Sequence, residues 1–129
     1  MIVVDCSALL AFMLQPESHA HYGRVIGEAE ALAAPDILDV ELISALRRLE
    51  RQRKISGAVA TRIAEDLMVL PLNRFPSHEF ILDIWNLRHN FSAHDASYVA
   101  LAKIFKAPLL TADNRLRHAA TEFSKIELI

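Results

Sequence analysis

Short apolar runs alternate along this chain with longer stretches in which apolar residues recur every three or four positions. The short runs predict strands and the longer stretches predict helices. Ile2-Val3-Val4 is β-branched and unalternated, as expected of a strand buried on both faces. A helix is predicted from Ser7 to Leu14, stopping before Pro16, because the residue ahead of a proline avoids helical backbone. A second is predicted from Ser18, as N-cap, to about Gly27. Ala31 to Ala34 predicts a short strand ending at Pro35.

From Asp39 to Arg53, Leu42, Ala45, Leu46 and Leu49 fall on one helical face. Ser56-Gly57 interrupts, and a further helix follows with Ala60, Ile63, Ala64 and Leu67 as its apolar face. Leu70-Pro71-Leu72 ends that helix and predicts an edge strand. Pro76-Ser77 opens another helix, carrying Phe80, Ile81, Ile84 and Trp85. His94 to Lys106 is apolar nearly all round, so it is expected to be the most buried helix, with Tyr98, Leu101, Ala102 and Phe105 innermost. Leu109-Leu110-Thr111 predicts a buried strand, Asp113 the start of a short helix, and Lys125 to Ile129 a terminal strand. Strands alternating with helices predict an α/β fold with a short, mostly parallel central sheet flanked by helices.

Composition narrows the function classes. A chain of 129 residues, 53% hydrophobic, is expected to form one domain (1–129) with a real core. A formal net charge of -2 supplies no global attraction to nucleic acid or membrane, so a polyanion would need a local patch or a metal. The single cysteine, Cys6, excludes an intrachain disulfide framework and a Cys-based zinc cluster, and is consistent with a cytoplasmic protein. No signal peptide or membrane-spanning run is evident.

The candidate chemistry lies in four acids, Asp5, Glu41, Asp95 and Asp113. Asp5 and Asp113 follow apolar strands, and Glu41 and Asp95 stand near helix starts. Each has a bland explanation: an acid there accepts backbone N–H groups and suits the positive end of the helix dipole. As a set they read differently. In an open parallel sheet, strand C-termini and helix N-termini share the edge where ligands bind. Carboxylates crowded there repel one another unless a cation neutralises them. Asp36 and Asp39 are read as possible caps of the third helix, and Asp39 also as an outer-shell group.

Four blocks carry a family resemblance: Ile2 to Leu9, Val40 to Leu46, His94 to Ala102, and Leu109 to Asp113. In this order the chain resembles the PIN-domain nucleases, and more narrowly the VapC-type toxins of bacterial toxin–antitoxin pairs. The resemblance implies a three-layer PIN-like fold and an acidic pocket that binds Mg²⁺, with Mn²⁺ as a substitute. Asp5, Glu41, Asp95 and Asp113 match the family's catalytic, metal-binding quartet. Ser7 and Thr111 match supporting hydroxyls. Ser44 stands where many relatives have Asn, and Leu116 where some have a further Asp. The implied activity is metal-assisted hydrolysis of RNA. The implied partners are an RNA substrate, a cognate antitoxin and a second copy of the chain. The helices containing Ala60 and Ile84 are candidates for a dimer face.

A basic stretch follows Glu41. Arg48 and Arg51 continue its helical side, with Arg47 at the margin, so a stripe suited to RNA phosphates or an antitoxin runs away from the acids. A solvated helix face explains the same arginines equally well. His94-Asp95 brings to mind the all-helical HD phosphohydrolases, and the acids with Thr111 a receiver-like phosphoacceptor domain. The predicted strands argue against the first. The lack of an acidic neighbour at Asp5 argues against the second. A PIN-like module that binds RNA or protein without cutting remains the non-enzymatic alternative.

Overall fold

The computed structural model describes residues 1–124 and 127–129. Four strands, β1 (Ile2–Val4), β2 (Leu32–Pro35), β3 (Leu72–Phe75) and β4 (Leu109–Leu110), form one parallel sheet in the order β3-β2-β1-β4. Its short strands are apolar because both faces are covered: Val3, Val4, Ala33, Ala34, Leu109 and Leu110 have no exposed surface. Leu128 adds an isolated parallel bridge to Leu109. The expected terminal strand is thus reduced to a single bridge at Leu128, while Lys125 and Ile126 lie outside the described residues.

Parallel strands require crossovers, and these are right-handed. The chain steps outward from β1 to β2 to β3, then returns to the far side of β1 for β4. Helices α1 (Cys6–Leu14), α2 (Ala20–Glu28), α3 (Ile37–Arg51) and α4 (Gly57–Val69) therefore cover one face. A 3₁₀ turn (Ser77–Phe80), α5 (Ile81–Asn86) and α6 (Ala93–Phe105) cover the other. The remaining helix, α7 (Asn114–Phe123), follows β4. Helix α6 lies against β1, β2 and β4, and Ala96 to Ala102 are buried without a break. This accounts for its unpatterned apolar sequence. Among the described residues no helix is long and apolar enough to cross a membrane.

Several local expectations are corrected. Helix α2 begins at Ala20 and His19 precedes it, because Ser18 sits inside a turn closed by His19 N–H donating to the Gln15 carbonyl. Helix α3 begins at Ile37, two residues early, and neither Asp36 nor Asp39 caps it. Asp36 instead accepts hydrogen bonds from the backbone N–H and hydroxyl of Ser77. Asp39 pairs with Arg74 at 2.7 Å. Arg74 also donates to the carbonyls of Leu72 and Leu67, tying β3 to α3 and α4. The edge strand therefore runs through Asn73 and Arg74 to Phe75, where polar side chains hide the strand signal. Asp95 does not cap α6. Ser92 does, accepting from Asp95 N–H, and leaves the Asp95 carboxylate free of that task.

Candidate active site

The chain reverses its progress across the sheet between β1 and β4, and open α/β folds bind ligands outside the strand ends at such a switch point. There the structure opens a cleft of about 700 Å³. Two helical stripes form its walls. Ser7, Leu10, Ala11 and Leu14 come from α1, and Ile37, Val40, Glu41, Ser44, Ala45 and Arg48 from α3, both at the three- and four-residue spacing of one helix face. His94, Asp95 and Tyr98 of α6 and Asp113 complete it.

All four sequence-predicted acids line this cleft, each delivered by a different element. Asp5 follows β1 and is buried. It caps α1, its Oδ1 accepting from Ala8 N–H at 3.0 Å and from the Ser7 hydroxyl at 2.7 Å. Its Oδ2 accepts from the Thr111 hydroxyl. Thr111 Oγ1 in turn accepts from Asp113 N–H, and Ser7 Oγ accepts from Ala112 N–H. Two hydroxyls thereby tie the end of β1 to the segment after β4. Asp113 caps α7 through the N–H groups of Arg115 and Leu116. Capping and a place in the cleft are thus compatible for Asp5 and Asp113. Glu41 stands in the second turn of α3 rather than the first, and its Oε1 accepts from Tyr98 OH at 2.9 Å.

The electrostatics follow from crowding and burial. The Asp5 carboxyl is raised above its ordinary value, mainly by burial, against the hydrogen bonds from Thr111, Ala8 and Ser7; Asp113 pushes it up further. Burial also raises Glu41, with Asp5 and Asp95 adding repulsion and Tyr98 and His94 opposing. Asp95 is raised by burial and then by Asp113. Burial, Glu41 and Asp5 push the Cys6 thiol up to about 12, so it is no thiolate nucleophile near neutral pH.

Arg48 lines the cleft; Arg47 and Arg51 are exposed and do not. Ser44 lines it as an exposed residue. Leu116 is core. Sequence reading missed His94 and Tyr98 as cleft residues; the signal available for Tyr98 was its position at Asp95 +3, on the same helical face, while His94 is only its sequence neighbour.

A carboxylate-lined cleft at the switch point of a four-stranded parallel sheet defines the class: an open α/β protein with an acidic cleft between helix faces. The family model for the PIN domain matches residues 2–122. A VapC ribonuclease of Mycobacterium bovis is 40% identical over 116 residues, covering 90% of this chain and 88% of the relative. The crystal structure of PAE2754 from Pyrobaculum aerophilum superposes with a TM-score of 0.70 at 26% identity, covering 98% of this chain and 81% of the other. VapBC2 from Rickettsia felis, bound to a DNA fragment from its promoter, shares the fold with a TM-score of 0.68 at 14% identity, covering 100% and 98%. The chain belongs to the PIN-domain family, among its VapC ribonucleases.

The donor set fits a hard divalent cation. All four acids offer oxygen, and three of them are held above their ordinary pKa by burial and mutual repulsion that a cation would relieve. Among the described residues no three His, Cys, Asp or Glu side chains converge closely enough to grip one ion together. Mg²⁺ keeps several of its waters and needs only one or two carboxylates to hold it.

One prediction follows from the sign of these shifts. Between the ordinary carboxylate range, about pH 4, and the raised values, the native metal-free protein binds more protons than the unfolded chain. The stability from these groups is present below that window and lost as pH rises through it. In EDTA, the wild-type Tm measured relative to Asp5→Asn is expected to fall as pH rises above about 4. Mn²⁺ should raise the wild-type Tm near pH 8 and have little effect near pH 4, where protons compete for the same oxygens. A difference that stays flat with pH, or a Tm indifferent to Mn²⁺, would contradict this electrostatic account.

Proposed function

We propose that the protein is a Mg²⁺-dependent endoribonuclease toxin that hydrolyses RNA phosphodiester bonds and is neutralised by a cognate antitoxin. The observation carrying this reading is the arrival of four carboxylates, from four elements, in one open cleft lined by Arg48. Membership of the family and the ribonuclease names of relatives support it.

Asp5 and Asp95 would hold Mg²⁺ directly, with Glu41 and Asp113 acting through water or on a second ion. The bound cation would lower the pKa of a water, neutralise phosphate oxygens and stabilise the leaving oxygen. The chain's own groups do the placing. Ser7 and Thr111 fix both oxygens of Asp5, so its charge stays aimed. Arg48 offers a guanidinium to a phosphate one or more nucleotides away. The apolar walls at Leu10, Ala11, Leu14, Ile37 and Val40 give ribose and base faces a surface to lie on. An antitoxin segment laid along the same cleft would exclude the substrate. A second copy of the chain has an exposed apolar surface to use, but not at Ala60 or Ile84, which pack against the core. The exposed large apolar residues of those helices are Met68, Val69, Ile81, Leu82 and Trp85.

A panel of structured RNAs incubated with the protein in Mg²⁺ and in EDTA tests the reading. Cleavage in Mg²⁺ alone is expected, and equal cleavage in EDTA would overturn it. RNA binding without turnover in either would favour the non-catalytic module. The cleft also separates the arginines. Arg48→Ala is expected to weaken RNA binding and lower the slope of log affinity against log salt by about 1, while Arg47→Ala leaves both unchanged. Equal effects from the two would show that the stretch acts as a diffuse surface charge.

A further inference from the structure

Each acid of the cleft is held in its own way. Asp5 and Asp113 are fixed by backbone N–H groups at helix starts and by the Ser7 and Thr111 hydroxyls between them. Asp95 rides the first turn of α6. Glu41 has a longer side chain, stands in the second turn of α3, and does not cap that helix. The one side-chain group within hydrogen-bond reach of it among the described residues is the hydroxyl of Tyr98, at 2.9 Å from Oε1. Tyr98 is on α6, three residues after Asp95 and so on the same helical face. Its ring is 2% exposed, packed in the core, and has little freedom to follow a moving partner.

We propose that Tyr98 is a positioning residue for the cation site, holding the Glu41 carboxylate of α3 in register with Asp95 of α6. The proposal rests on the reading of the four acids as cation ligands. It goes beyond that reading by assigning a function to a residue whose apolar spacing explains it fully as core.

The chemistry of the pair suits this role. An Arg or Lys in place of Tyr98 would fix Glu41 equally well but would cancel its charge and compete with the cation. A phenol is a neutral donor, and burial together with Glu41 keeps its proton on by raising its pKa well above the ordinary tyrosine value. Glu41 is thereby oriented through one oxygen, with its full charge retained and Oε2 left for an ion or its water. The hydroxyl also connects α3, on one face of the sheet, to α6, on the other. The bond thus sets the spacing of the two walls where Glu41 and Asp95 meet the cleft.

Tyr98→Phe removes the hydroxyl and leaves the ring. Direct Mn²⁺ binding, followed by calorimetry or by the free-ion electron paramagnetic resonance signal without RNA, is expected to weaken about tenfold, as for other groups that orient metal ligands. Thermal unfolding in EDTA is expected to stay close to wild type, since the packed ring is retained. The decisive arm is a double-mutant cycle with Glu41→Gln. If Tyr98 acts through Glu41, adding Tyr98→Phe to Glu41→Gln costs no further Mn²⁺ affinity. A loss of equal size in both backgrounds would reveal a packing defect and overturn the proposal, even if the single variant is less stable. Unchanged Mn²⁺ affinity in Tyr98→Phe, with wild type binding the ion, overturns it while leaving the cation reading intact. No Mn²⁺ binding by wild type overturns both.

Discussion

Asp5→Asn is expected to lower the rate of RNA cleavage on the order of a thousand-fold, about 4 kcal/mol of lost transition-state stabilisation. The substitution keeps the shape of the side chain and removes the charge at the most enclosed corner of the cleft. An Asn Oδ1 still accepts from the Ser7 hydroxyl and Ala8 N–H, as Asp5 does. Its amide would face Thr111 Oγ1, a hydroxyl that can accept as well as donate. The helix cap is therefore preserved. Burial disfavours the ionised form of Asp5, so in EDTA near neutral pH the Asn variant is expected to melt no lower than wild type. Cleavage lost with Tm retained isolates the loss to chemistry. A variant that melts normally and cuts at the wild-type rate would remove Asp5 from the mechanism.

Leu110→Ala is expected to act in the opposite way, on stability with little direct effect on the chemistry. Leu110 is one of two residues in β4 and has no exposed surface. It is the register partner of Val4, and its carbonyl accepts from Asp5 N–H at 3.1 Å. Truncation leaves a cavity beside the strand ends that carry Asp5 and Thr111, and so close a packing cannot collapse freely. The expected cost is about 3 kcal/mol in urea unfolding, or roughly 10 °C in Tm. Because the β1–β4 pairing runs through the backbone, the folded fraction should still bind Mn²⁺ nearly as wild type does. A cost below about 1 kcal/mol would show that the core around β4 relaxes around the missing methyl groups.

These two positions also show what could be read from the chain alone. Leu109-Leu110 and Ile2-Val3-Val4 announce themselves because a strand covered on both faces carries nothing but apolar residues. The same logic makes α6 legible, since it lies against three strands. Strand β3 was legible as an edge strand only as far as Leu72, because Asn73 and Arg74 are polar and their partners lie in other elements: Asn73 donates to the Leu32 carbonyl and Arg74 to Asp39. Helix starts were misplaced where two candidate caps compete. Ser92 caps α6 where Asp95 was the apparent cap, and Asp36 serves Ser77 across the fold instead of α3. Local propensity cannot distinguish such alternatives, because which oxygen reaches the free N–H groups is decided by tertiary placement.

The four acids were legible as a group through their order along strand ends and helix starts. What the chain could not reveal was how each is held. The hydroxyl ties through Ser7 and Thr111 span about a hundred residues of sequence, as the 106-residue separation of Thr111 and Asp5 shows. The Tyr98–Glu41 bond crosses from α6 to α3, between residues that look respectively like core and like a helix-start acid. The arginines were legible only as a stripe. The structure separates them, with Arg48 in the cleft and Arg47 and Arg51 outside its lining.

The central claim is that these carboxylates make the protein a ribonuclease, and RNA-end mapping after induced expression in bacterial cells tests it most directly. Wild type and Asp5→Asn should be induced to matched levels and new RNA termini compared. The account predicts termini at defined positions in a small set of structured RNAs with wild type, and their loss with Asp5→Asn. The same termini at the same frequency in both, or none above background with wild type, would contradict it.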